Sequence, residues 1–250
     1  MQTLPAPSTQ SRYHFVRKRV DVCVCYAAMR LLLISSSNVH GYGYLDHAEP
    51  FILDFLGGRR RVAFIPFAAH DHARYTGVVR ERMAKMNVEV LDADAIDGAE
   101  AIFTGGGNTF RLLKTLYERN LIGRIRELVR SGVFYMGSSA GTNIAGPTIK
   151  TTNDMPIVWP PSLDALGLVP FQINPHYLDP DPASTHRGET REERIREFHE
   201  ENATPVVGLR EGGMLRVEDA VVRLVGSSAA RLFQRGQPPL EIQPGALLEL

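Results

Sequence analysis

From residue 31 onward the chain alternates short apolar runs with stretches in which apolar residues recur every three or four positions. The runs LLLIS (31–35), RVAFIPF (61–67), VEVLD (88–92), AIFTGGG (101–107) and VFYMG (133–137) are rich in β-branched or aromatic residues and end in small or turn-forming ones. That pattern predicts strands. Between them, YLDHAEPFILDFLGG (44–58), YTGVVRERMAKMN (75–87) and FRLLKTLYERNLIGRIRELVRSG (110–132) have helical spacing and close on Gly or Asn, which predicts helices. Strands this apolar, alternating with helices, imply βαβ crossovers and an α/β fold: a mainly parallel sheet with helices on both faces.

After residue 150 the pattern loosens. The stretch from 151 to 184 is dense in Pro, Asp and Asn and too long for a casual turn, so it is either functional or disordered. Beyond it, GETREERIREFHEEN (188–202) reads as a charged helix and PVVGLREGGMLRVEDAVVRLVG (205–226) as strands joined by turns. No internal repeat, low-complexity tract or linker divides residues 29–250, which are expected to form a single domain. Residues 1–28 differ: a basic cluster precedes a short apolar patch interrupted by Asp21, a poor imitation of a signal peptide. They are expected to lie outside the fold.

Composition narrows the partners. The 250 residues are 44% hydrophobic, enough for a real core, and their 28 basic and 28 acidic side chains cancel. Neither nucleic acid nor an anionic membrane is expected as a partner. No apolar run approaches the roughly 20 residues that span a bilayer. The two cysteines, Cys23 and Cys25, leave the rest of the chain without a thiol nucleophile and fit a reducing, cytoplasmic compartment.

The candidate chemistry gathers at two loops. Gly137-Ser138-Ser139-Ala140-Gly141 fits G-x-S-x-G at the end of a predicted strand, where a tight turn displays Ser139 and the Ala140 amide points toward an oxyanion. An ordinary small-residue turn fits the same five residues. In TGGGNTF (104–110), Gly106 and Gly107 could supply further oxyanion donors and Asn108 could meet a polar end of the substrate. The loop lacks the lysine of a P-loop.

Eight histidines compete to be the base. His70 and His72 lack a clear third metal ligand, and no metal site is expected. His47 and His199 sit in helical patterns and read as surface or interface residues. His176 follows a strand-like run and precedes a proline-rich loop, an address near Ser139; a plain loop histidine reads almost as well. For the acid that orients it, Glu211 ends the strand-like PVVGL, whereas Asp154 could instead close a turn.

Six blocks, GGGNTFRLLK, GSSAGTN, PTIKTTNDMPIV, QINPHY, GETREERIRE and GLREGGML, in this order and spacing, resemble the peptidase E (α-aspartyl dipeptidase) family of serine peptidases. The resemblance runs from about Met29 to nearly the C-terminus. It implies a class I glutamine amidotransferase-like (flavodoxin-like) three-layer sandwich with Ser139 as nucleophile and His176 as base. Glu211 is implied as the histidine's direct partner and Asp154 as a supporting acid. The implied substrate is a dipeptide with an N-terminal aspartate, its β-carboxylate paired by Arg191 and Asn108 close to it. Neither a metal nor an organic cofactor is implied, and a homodimer is the one further partner considered. Ser138, where relatives carry an aromatic, and DPDPAS after His176 depart from the family pattern. Competing expectations are a cyanophycinase-like isopeptidase and a catalytically silent aspartyl-peptide binding protein; amidotransferase chemistry would need cysteine at position 139.

Overall fold

In the computed structural model, residues 29–250 other than 182, 184, 186 and 187 are described. The N-terminal 28 residues, expected from the sequence to lie outside the fold, are outside the described residues. In chain order the strands are β1 (Arg30–Ile34), β2 (Arg61–Ile65), β3 (Glu89–Leu91), β4 (Ala101–Thr104), β5 (Phe134–Ser138), β6 (Gln172–Pro175), β7 (Val206–Leu209), β8 (Gly213–Glu218), β9 (Val221–Gly226), β10 (Ala230–Phe233) and β11 (Leu240–Ile242). Seven build the central sheet in the order β3-β2-β4-β5-β1-β8-β9. Pairing is parallel from β3 through β1, and β8 and β9 add an antiparallel margin.

The unbroken apolar runs have a direct physical reason: both faces of these strands are buried. Leu31, Leu33, Ala63 and Ile65 face one core, and Leu32, Ile34, Val62 and Phe64 the other. Helices α1 (Glu49–Leu56) and α2 (His72–Lys85) close the second face with Ile52, Phe55, Val79 and Met83. The first is closed by α3 (Thr109–Glu118), α4 (Leu121–Arg130) and the short α5 (Ala140–Asn143). The fold is thus the expected α/β sandwich of three layers.

Two features go beyond the sequence pattern. The stretch 110–132 is two helices, broken where Asn120 adopts φ 56°, a left-handed conformation that asparagine tolerates better than most residues. A second sheet, β11-β10-β7-β6, packs Ile173, Val207, Leu209 and Leu232 onto the first core. Its other face is covered by α6 (Arg191–Glu201), whose Ile195 joins Tyr177, Val206 and Phe233. Two asparagines tie the proline-rich stretch before β6 to that strand: Asn153 Nδ2 donates to the Pro175 carbonyl (2.9 Å), and Asn174 Nδ2 to the Thr151 carbonyl (2.8 Å).

Candidate active site

The carboxyl ends of β1, β2, β4 and β5 open onto one edge of the central sheet, the place where ligands bind in open α/β folds. Beside them end β6 and β7, paired in parallel with Pro175 opposite Leu209. Ser35 joins the two sheets. Its hydroxyl donates to the Leu209 carbonyl (2.7 Å) and accepts the His176 N–H (3.0 Å).

Ser139 caps α5 with φ 52° and ψ −111°, a conformation that costs a non-glycine residue about 1–3 kcal/mol. The turn closes only because its flanking residues lack side chains. A Cβ on Gly137 would lie 2.4 Å from the Gly141 carbonyl oxygen, and one on Gly141 would lie 2.1 Å from that of Thr104. The Ser139 amide donates to the Ile34 carbonyl (3.1 Å), which also accepts the Thr142 hydroxyl (2.7 Å).

Ser139 Oγ lies 2.8 Å from His176 Nε2, and His176 Nδ1 lies 2.7 Å from Glu211 Oε1. An ionised carboxylate only accepts, so Nδ1 carries the hydrogen and Nε2 is left to accept from the serine. Asp154 is elsewhere: its Oδ2 accepts from the Thr109 amide (2.7 Å) and hydroxyl (2.6 Å) at the start of α3. Of the two candidate acids, then, the structure brings Glu211 to the histidine.

A cleft of about 380 Å³ leads to Ser139 and His176, walled by Ser36, Tyr44, Tyr75, Gly106 and Gly107 among others. Ala140 opens α5, so its N–H has no carbonyl within the helix to bond. The Gly106 N–H is taken: it donates to the Tyr75 hydroxyl at 2.9 Å. Ser138 is fully buried and is not part of the cleft wall.

The residues expected to hold the substrate form a separate group. Asn108 caps α3, its Oδ1 accepting from the Arg111 amide (3.0 Å) and its Nδ2 donating to the Met155 carbonyl (2.9 Å). Arg191 is half-buried in the first turn of α6, where the helix dipole opposes a cation by about 0.3–1 kcal/mol. Burial and the Arg194 charge pull its guanidinium below the ordinary arginine range, while Asp154 pushes the other way.

Two expectations for histidines are corrected. His199 is buried on the inner face of α6 against the Thr204 carbonyl (3.1 Å), and His47 is partly buried with both ring nitrogens turned inward. Burial lowers the His47 pKa, with the Ser36 carbonyl, Asp46 and Glu211 acting against it. Among the described residues no group of three His, Cys, Asp or Glu is arranged to hold a metal ion. Nor is any helix among them long and apolar enough to cross a membrane. Sequence reasoning missed Ser35 and Tyr75: a serine ending a strand and a tyrosine in an amphipathic helix carry no local signal of their tertiary partners.

The family model for peptidase family S51 matches residues 31–225. A peptidase E of Streptomyces coelicolor is 54% identical over 225 residues, covering 87% of this chain and 93% of the relative. A probable alpha-aspartyl dipeptidase of Drosophila melanogaster is 49% identical over 228 residues, covering 87% and 95%. In fold, the chain is similar to a putative peptidase E from Listeria monocytogenes EGD-e, with a TM-score of 0.63 at 23% identity over 81% of this chain and 100% of that one. A protein with these relatives is a serine-type dipeptidase. The chain belongs to peptidase family S51.

Proposed function

We propose that the protein hydrolyses dipeptides bearing an N-terminal aspartate, using Ser139, His176 and Glu211 as a catalytic triad. The observation that carries this proposal is the pair of short contacts linking Glu211 Oε1, His176 and Ser139 Oγ, 2.7 and 2.8 Å long. His176 Nε2 takes the hydroxyl proton as Ser139 Oγ attacks the carbonyl after the aspartate, and Glu211 stabilises the resulting imidazolium. The Ala140 and Gly107 amides receive the oxyanion. Collapse of the tetrahedral intermediate breaks the C–N bond, with His176 returning its proton to the leaving amine. Water, deprotonated by the same histidine, then releases aspartate from the acyl-enzyme.

Arg191 is proposed to read the substrate's β-carboxylate. A half-buried cation held against a helix dipole is better explained by an anion it must meet than by stability. The cleft volume falls within the range of small-molecule sites. The test is kcat/KM for the purified full chain on Asp-Leu, Asn-Leu, Glu-Leu and β-aspartyl-leucine. Asp-Leu is expected to lead Asn-Leu by on the order of 10²-fold or more, because a neutral amide leaves the arginine uncompensated. Ser139→Ala should abolish turnover, and Arg191→Met should erase the Asp/Asn preference. An unchanged ratio in Arg191→Met refutes that residue's role, and a wild type that neither cleaves Asp-Leu nor reacts with a serine-directed phosphonate refutes the whole proposal.

A further inference from the structure

We propose that Tyr75 is a catalytic residue whose phenolic hydroxyl donates a hydrogen bond to the scissile carbonyl oxygen as that oxygen gains negative charge. This rests on the Ser139 acyl-transfer reading above. The placement is tight. The ring meets Phe64 edge-on at 5.0 Å, and a Cβ on Gly105 would lie 2.6 Å from the phenolic oxygen. The next residue, Gly106, touches both sides: its amide donates to the Tyr75 hydroxyl, and a Cβ there would lie 3.0 Å from Ser139 Cβ. Gly106 thus touches the phenol on one side and the nucleophile's side chain on the other.

The hydrogen-bond inventory sets what the hydroxyl can do. A phenol offers one donor and accepts through its oxygen. Here the oxygen receives the Gly106 N–H at 2.9 Å and the Tyr44 hydroxyl at 3.3 Å. With the Tyr44 hydroxyl donating in that pair, the Tyr75 proton is left to turn toward a further acceptor, and Tyr75 lies on the wall of the cleft that holds Ser139 and His176. An oxygen already receiving two donors is unsuited to a substrate ammonium; it selects an acceptor. Burial holds both phenols above the ordinary tyrosine range, so each keeps its proton at neutral pH. The Gly106 dipole thereby reaches the developing charge through the phenol: the amide polarises the hydroxyl, and the hydroxyl faces the oxyanion. The proton stays on Tyr75 throughout.

The experiment compares wild type, Tyr75→Phe and Tyr44→Phe as full chains, measuring kcat and KM for Asp-Leu, melting temperature, and inhibition by an aspartyl aldehyde that adds to Ser139. Loss of one oxyanion donor lowers kcat by about 10²–10³-fold. Tyr75→Phe is expected to show that drop with KM nearly unchanged, aldehyde affinity weakened in proportion and melting temperature retained. Tyr44→Phe removes one donor to the phenolic oxygen but leaves the Tyr75 proton in place, and should lose at least about ten times less of kcat than Tyr75→Phe. A rise in KM alone would mean that Tyr75 holds a substrate carboxylate, and an equal loss in both variants would mean that it only braces the wall; either overturns the proposal, as does wild-type kcat in Tyr75→Phe. Phosphonate labelling separates the layers: an unlabelled, inactive wild type sinks the acyl-transfer reading and this one together, whereas a labelled, active wild type with an unaffected Tyr75→Phe sinks this one alone.

Discussion

Ser139 and His176 share an unusual trait, positive φ angles of 52° and 53°. Each conformation costs about 1–3 kcal/mol, and the end of β1 holds both, through the Ile34 carbonyl and the Ser35 hydroxyl. Ser139 could be singled out from its small neighbours. His176 could be favoured among eight histidines from its place after a strand-like run, but a plain loop histidine read almost as well, because the hydrogen bonds that bring it to Ser139 close only in three dimensions. The two acids were harder still: each is a carboxylate beside a turn, and only the folded chain gives Glu211 the histidine and Asp154 the Thr109 amide. Glu211→Gln, which keeps the shape and removes the charge, is therefore expected to lower kcat by about 10²-fold or more. Asp154→Asn should act mainly on KM, since its charge reaches Arg191 rather than His176. Steady-state kinetics of the two variants decide: a larger fall in kcat for Asp154→Asn would reassign the acid.

Among elements, those whose pairing is local or whose burial is complete were legible. Strands β1, β2, β4 and β5 announce themselves because a parallel strand buried on both faces needs apolar residues throughout. The second sheet was not legible as a sheet, because β6 pairs with β7 across α6 and β10 returns antiparallel, choices that no periodicity encodes. The break between α3 and α4 hangs on the single residue Asn120. Helix α6 carries Arg191, the residue proposed to read the substrate. Thr190 and Glu193 form a capping box, the hydroxyl accepting the Glu193 amide at 3.2 Å and the carboxylate accepting the Thr190 amide at 2.7 Å. The cap fixes the first turn, and Arg191 stands on that turn. Thr190→Ala should cost about 1 kcal/mol of stability and raise KM for Asp-Leu, with Thr190→Ser restoring both. Lost stability without a change in KM would show that the cap does not position Arg191.

At the scale of the molecule, one charged network links the segments that carry the site. Arg210, adjacent to Glu211, grips both oxygens of Asp179 (2.7 and 2.8 Å), three residues beyond His176, and also pairs with Glu241 in β11 (2.6 Å). Arg231 in β10 extends it to the Tyr177 hydroxyl (3.2 Å) and to Glu192 (2.7 Å), the neighbour of Arg191. Separate partly exposed ion pairs contribute little, but a bidentate, multiply shared network resists the pulling apart of the loops it joins. Hydrogen bonding from Arg210, more than its charge or that of Arg231, holds the Asp179 carboxyl below the usual aspartate range. A depressed folded-state pKa contributes stability that is fully present above the unfolded value and is lost as pH falls through the folded one. With an unfolded aspartate near pKa 3.9, that stability should persist at neutral pH and begin to fade below about pH 4. Asp179→Asn should therefore melt below wild type at pH 7, and the two curves should converge as acid protonates the wild-type carboxyl. Melting temperatures of both proteins between pH 7 and pH 3 test this, and a gap that stays constant across that range would show that the Asp179 charge is not what ties His176, Glu211 and Arg191 into one frame.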